Sequence, residues 1–286
     1  MRLVTYRSPQ GPRVAAVGQG QCIDLNAADS TLPACPKQLL ARGSETLARA
    51  AEAVAAGEGV PMEDLELLPP IPNPEKLICV GLNYADHAKE GGREPPNEPV
   101  LFNKFPTALG GEGTPIVLPQ LSREVDFEAE LVVVIGPGGR RIPRQKAFEH
   151  VAAYCCGNDI SARDWQTRKP GGQWLLGKSF DTFAPVGPML TTADEVPDPG
   201  KLRIQLRLNG ETMQDSNTSQ LIFPVDELIA YVSAVCTLSP GDLLFTGTPP
   251  GVGFARKPPV FLKPGDSLEV EIEGLGVLHN PVVAEG

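Results

Sequence analysis

Residues 125–136 read VDFEAELVVVIG. Val125, Phe127, Ala129 and Leu131 alternate with Asp126, Glu128 and Glu130, which is the period of a strand, and the segment then enters the apolar run LVVVIG. Outward from it, further β-rich runs lie at 76–80, 100–102, 151–156, 202–208, 242–246 and 267–272, separated by turns rich in the chain's 30 glycines and 30 prolines. The only convincing helix in this stretch covers 225–235, so strands do not alternate with long helices and a parallel Rossmann sheet is disfavoured. The expected class is mixed α+β, predominantly β, with a mixed or antiparallel β-roll as its larger part.

A chain of 286 residues is near the upper limit for one hydrophobic core, which favours a large domain plus a smaller one. Residues 1–70 read as the small α+β domain, with strands at 3–7, 13–17 and 22–25 and an Ala-rich helix at 36–56. The segment LPPIPNP at 68–74 cannot continue a helix, so 71–286 is expected to form the second, catalytic domain. Formal charge is -10 and pI about 4.9, which leaves no basic face for nucleic acid or an anionic membrane. The longest strongly apolar stretch, from Leu228 to Leu238, is too short to span a bilayer. The opening MRLVTYRSPQ has no apolar signal core, and a cytoplasmic location is the expectation. Six scattered cysteines without C-x-x-C spacing read as reduced thiols, and the adjacent Cys155 and Cys156 as core.

On one strand, Asp126, Glu128 and Glu130 share a face and repel one another. A hard divalent cation, Mg2+, Mn2+ or Ca2+, would relieve that cost; an exposed acidic edge strand would also explain the pattern. Asp159, in CCGNDISARDWQ, follows an apolar strand and could complete a three-carboxylate site, or could cap a short helix. His87 and Glu90, one helical turn apart in GLNYADHAKEGG, would make an oriented general base or simply an exposed turn. Lys178, between two apolar runs in WLLGKSFDTFAPVGP, could stabilise an oxyanion or enolate, or snorkel to the surface. The loop TGTPPGVG at 246–253 could cradle a carboxylate on its N–H groups, or be a plain Gly-Pro turn. His150 and His279 read as structural.

GLNYADHAKE, VDFEAELVVVIG, NDISARDWQ, GKSFDTFAPVGP, NGETMQDSNTSQLIF and LLFTGTPPGVG occur in this order, and from Pro74 onward the chain resembles the fumarylacetoacetate hydrolase superfamily. The resemblance implies metal ligands at Glu128, Glu130 and Asp159, with Asp126 behind them, and Mg2+ or Mn2+ as the ion. It implies a catalytic His87, Glu90 and Lys178, and substrate contacts from Arg163, Gln166 and Thr248. The implied substrate is a small 2-oxo or β-diketo acid reacting through an enolate, in a homodimer. Hydrolytic carbon–carbon cleavage is the first expectation, and oxaloacetate tautomerisation or decarboxylation, or a 2-hydroxyhepta-2,4-dienedioate isomerase activity, the alternative. A carboxylate-binding module without turnover would need neither His87 nor Lys178.

Overall fold

A computed structural model gives residues 1–18, 20–86 and 94–286, with Ala56 by its backbone alone. A twelve-stranded sheet runs in the order Val60–Pro61, Gln21–Asp24, Gly11–Gly18, Arg2–Ser8, Ala184–Thr192, Val151–Asn158, Ala129–Ile135, Leu243–Phe245, Leu77–Gly81, Val100–Lys104. Its two remaining strands are Leu67–Leu68, beside Arg2–Ser8, and Leu109–Gly110, beside Ala184–Thr192. A second sheet of five strands, Glu211–Asn217, Arg203–Leu208, Ser267–Ile272, Gly276–Ala284 and Ile116–Leu118, packs against the middle of the first. Pairing is mostly antiparallel, with parallel contacts such as that between Leu243–Phe245 and Leu77–Gly81. The architecture is therefore the mixed, strand-dominated α+β class expected.

Burial follows position. Ser267–Ile272 alternates between half-buried and buried residues, as a strand with one face on the core must, whereas every residue of Ala129–Ile135 and Val151–Asn158 is buried. These two central strands thus have no solvent face at all. The strands at the start of the chain join the same sheet: Arg2 and Leu3 pair with Thr191 and Leu190, and one apolar core runs from Leu3 to Val282. Among the described residues, no helix is long and apolar enough to cross a membrane.

Two local readings change. The expected helix at 36–56 is two helices, Pro36–Ala41 and Ser44–Ala56, because Gly43 takes φ +74°, a conformation no right-handed helix contains. The expected carboxylate strand is also broken. Val125–Asp126 pairs with Ser161–Ala162, and the long strand resumes only at Ala129. The interruption at 127–128 separates Asp126 from the face it was expected to share.

Candidate active site

The register between the two central strands assembles the site. Ala129 lies opposite Asn158, so Glu128 and Glu130 meet the end of the neighbouring strand, where Asp159 follows. Asp159 N donates to Glu128 O at 2.9 Å, and Glu128 N donates to Asn158 Oδ1 at 2.9 Å. Glu128, Glu130 and Asp159 are 7, 1 and 0% exposed, and each offers an oxygen within 4.8 Å of the others'. That burial removes the edge-strand explanation. Asp159 caps no helix either, since Arg163–Arg168 begins after Ala162 without a side-chain cap.

Three buried cations face these carboxylates. Lys178 Nζ donates to Glu128 Oε2 at 2.7 Å and to Asp159 Oδ2 at 2.6 Å, and lies 5.0 Å from the centre of the Phe102 ring. It is 2% exposed, so it does not snorkel. Arg163 Nη2 pairs with Glu128 Oε1 at 2.6 Å and with Asp126 Oδ2 at 2.7 Å, while Nη1 donates to Gln166 Oε1 at 3.0 Å. Lys104, 1% exposed, donates to Asp159 Oδ1 and, at 3.0 Å, to Ile160 O.

The glycine-rich loop closes the other side and commits two of its N–H groups to carboxylates. Gly247 N donates to Glu130 Oε2 at 2.7 Å. Asp126 accepts from Gly253 N at 2.7 Å and Phe254 N at 3.0 Å, besides Arg163 Nε at 2.8 Å. These amides cradle the chain's own carboxylates, where sequence suggested a substrate's. A Cβ on Gly253 would fall 1.9 Å from Val260 O, so only glycine permits the approach. Gln214 ties loop to strand: Nε2 donates to Thr248 Oγ1 at 2.9 Å and Pro249 O at 2.8 Å, and Oε1 accepts from Ala129 N at 2.9 Å.

The electrostatics are unbalanced. Four buried carboxylates, counting Asp126, face three buried cations, and Glu130 has no cationic partner among the described residues. Burial, then the charges of Asp159 and Glu128, push the Glu130 carboxyl well above the ordinary glutamate range. Burial opposes charge on Glu128 as well, but Lys178 and Arg163 outweigh it and hold that carboxyl far down. Burial likewise works against the Lys178 ammonium, and Asp159 with Glu128 more than restores it. For Lys104 burial prevails over Asp159 and lowers the pKa. Of four buried side-chain polar atoms without a hydrogen-bond partner among the described residues, Tyr84 Oη and Asn158 Nδ2 belong to residues beside these carboxylates, as happens where a ligand or water completes a site. An all-oxygen triad with one charge uncompensated suits a hard divalent cation, so the donor set fits one.

Of the residues singled out in sequence, Glu128, Glu130, Asp159, Lys178, Arg163 and Gln166 come together, and Thr248 joins them through Gln214. His87 and Glu90 lie outside the described residues. Lys104 and Gln214 were given no role. The signal for Lys104 was slight: a lysine two places after Phe102, on the same face of a strand. Cys155 and Cys156 are buried free thiols, consistent with a core role.

The family description Fumarylacetoacetate (FAA) hydrolase C-terminal matches residues 76–283. The chain belongs to this family. It is an enzyme of the fumarylacetoacetate hydrolase type. It is 50% identical over 288 residues to a human protein named Oxaloacetate tautomerase FAHD2A, mitochondrial, covering 99% of this chain and 92% of the human one. Among solved structures, a fumarylacetoacetate hydrolase from Exiguobacterium antarcticum is 34% identical with a TM-score of 0.87, covering all of both chains. A maleylpyruvate hydrolase from Sphingobium sp. SYK-6, in complex with manganese(II) and pyruvate, is 31% identical with a TM-score of 0.84, also with full coverage of both. The name of the human relative overturns the cytoplasmic placement. That placement rested only on what the first ten residues lack, and those residues are largely the strand Arg2–Ser8.

Proposed function

We propose that this fumarylacetoacetate hydrolase family enzyme interconverts the keto and enol forms of a small 2-oxo dicarboxylic acid, oxaloacetate, with Mg2+ or Mn2+ held by Glu128, Glu130 and Asp159. The site would belong to a catalytic unit of residues 71–286, with 1–70 as a small N-terminal unit, in a homodimer. When bound, the ion supplies Lewis acidity to a keto oxygen and so acidifies the neighbouring C–H. Tautomerisation breaks one C–H bond and makes one O–H bond, with no change of oxidation state and no water consumed.

The observation that carries the reading is the place of Lys178, whose ammonium sits on Glu128 Oε2 and Asp159 Oδ2 and is kept charged there. Lys178, buried beside the carboxylates that would hold the ion, would give a proton to the reacting oxygen as the enol forms. His87, with Glu90 as the resemblance implies, would take the proton from carbon, and the two groups would re-equilibrate through solvent. Arg163 is spent on Asp126, Glu128 and Gln166 Oε1, which leaves Gln166 Nε2, without a described acceptor, to hold a substrate carboxylate. Sequence put hydrolysis first. The tautomerase name of the relative at 50% identity, against hydrolase names at 34 and 31%, supports the second reading instead.

The test is the decay of enol absorbance in oxaloacetate solutions containing enzyme stripped with chelator and reloaded with Mn2+. The reloaded enzyme should speed the decay and leave acylpyruvates uncleaved. Cleavage of acylpyruvates with no effect on the oxaloacetate enol would restore the hydrolase reading. Full activity after exhaustive chelation would remove the metal.

A further inference from the structure

Each of the three clustered carboxylates is divided between its two oxygens. One oxygen is tethered to the protein: Asp159 Oδ1 by Lys104, Glu128 Oε1 by Arg163 at 2.6 Å, Glu130 Oε2 by Gly247 N at 2.7 Å. The other is turned to a different use. Asp159 Oδ2 and Glu128 Oε2 share the single ammonium of Lys178 at 2.6 and 2.7 Å, and the second oxygen of Glu130 accepts from no described residue.

An oxygen with a charge-assisted hydrogen bond of its own is a weaker ligand for a cation than one that shares a single ammonium with a second carboxylate, as Asp159 Oδ2 and Glu128 Oε2 do, so each tether favours one ligating atom per carboxylate. Three single oxygens leave half of an octahedron for substrate and water, which suits the small ions Mg2+ and Mn2+. Ca2+ takes 6–8 oxygens, commonly with a carboxylate binding through both of its own. Lys104 is the side-chain tether with no other duty: it is buried, and among the described residues its polar partners are Asp159 and Ile160 O alone. Arg163, by contrast, also orders Asp126 and Gln166.

We infer that Lys104 is a positioning residue that restricts Asp159 to one ligating oxygen and thereby biases the site against Ca2+ in favour of a small octahedral ion. The inference rests on the proposed cation at Glu128, Glu130 and Asp159, and goes beyond it by assigning selectivity to a residue that touches neither ion nor substrate.

The test is calorimetric titration of chelated protein with Mn2+ and with Ca2+, for wild type, Lys104→Met and Arg163→Met. Removing a positive charge strengthens binding of both ions alike, and the ratio of the two dissociation constants cancels that gain. Wild type should prefer Mn2+, and in Lys104→Met the preference should shrink by about tenfold or more as Asp159 gains a second ligating oxygen. Arg163→Met frees Glu128 Oε1 and should move the ratio in the same direction, so it decides the matter if near-ultraviolet circular dichroism shows Lys104→Met unfolded. A ratio within about twofold of wild type in the folded variants, or a wild type that prefers Ca2+, overturns the inference while leaving the cation site standing. Wild type that binds neither ion takes down the site itself.

Discussion

Two networks in this molecule tie arginine to aspartate away from bulk water, and they are built to different rules. In the N-terminal strands, Arg13 grips Asp24 with Nε at 2.5 Å and Nη2 at 2.6 Å, while Tyr6 Oη donates to the same carboxylate at 2.5 Å and Ala27 N at 2.7 Å. One positive charge meets one negative charge, and every oxygen of Asp24 is used. Around Glu130, the buried carboxylates outnumber the buried cations, and among the described residues Glu130 is left with only a backbone N–H. A closed network holds strands and a helix start together. An open one stores a demand for a cation, at a cost to the fold that a purely structural cluster would have no reason to bear.

The sharpest break of this comparison is Lys178→Met. Loss of the proton donor should lower tautomerase kcat by roughly 10²–10⁴-fold. Metal affinity should rise in the same variant, since Lys178 competes for Glu128 Oε2 and Asp159 Oδ2. Unchanged kcat would remove Lys178 from the chemistry. Next comes Glu130→Gln, which takes away the uncompensated charge. Cation affinity measured by calorimetry should fall by more than the roughly 10- to 100-fold that losing a ligand's supporting hydrogen bond costs. In chelator the melting temperature should hold or rise, because burial and the neighbouring carboxylates already oppose ionisation of Glu130 and a neutral amide escapes that cost; a marked fall would mean the open network is structural after all.

The closed network should answer in the opposite way. Asp24→Asn should cost about 1–3 kcal/mol of stability by chemical denaturation, from hydrogen bonds left half-made, and leave metal affinity alone. Its pH dependence has a definite sign. Burial raises the Asp24 pKa, but Arg13 and Tyr6 pull it below the ordinary 3.8 overall, so the folded value is lower than the unfolded one. The stabilisation is therefore complete above that ordinary value and is lost as pH falls through the folded one. The gap between wild type and Asp24→Asn should be constant near neutrality and close in acid; a gap that widened in acid would contradict the assignment.

What sequence revealed depended on the distance over which the deciding contact acts. Ser267–Ile272 and the helix Val225–Val235 were legible at their observed bounds, because alternation and helical spacing are local. So was the closeness of Glu128 and Glu130, two residues apart, although Glu128 falls just before the strand that holds Glu130. The separation of Asp126 was not legible from spacing and came only with the family resemblance, because Asp126 is drawn away by Arg163 and by the amides of Gly253 and Phe254, far along the chain. Ala184–Thr192 went unread because Pro185, Gly187 and Pro188 look like loop residues, and only its neighbours on the sheet make it a strand. Lys104 was invisible for the same reason: nothing near it in sequence announces Asp159.

The amide of Gly247 reaches Glu130 across 117 residues, and that of Gly253 reaches Asp126 across 127. Contacts between such remote points carry a heavy loop-closure cost and come late when a chain folds. During synthesis, Glu128, Glu130 and Asp159 emerge long before the glycine loop that completes their surroundings, so a nascent chain displays the three acids without the enclosure that gives them their grip. Under the proposed cation site, a polypeptide stalled before residue 247 would carry the three acids without the amides that hold Glu130 and Asp126, and should bind Mn2+ more weakly than the full chain.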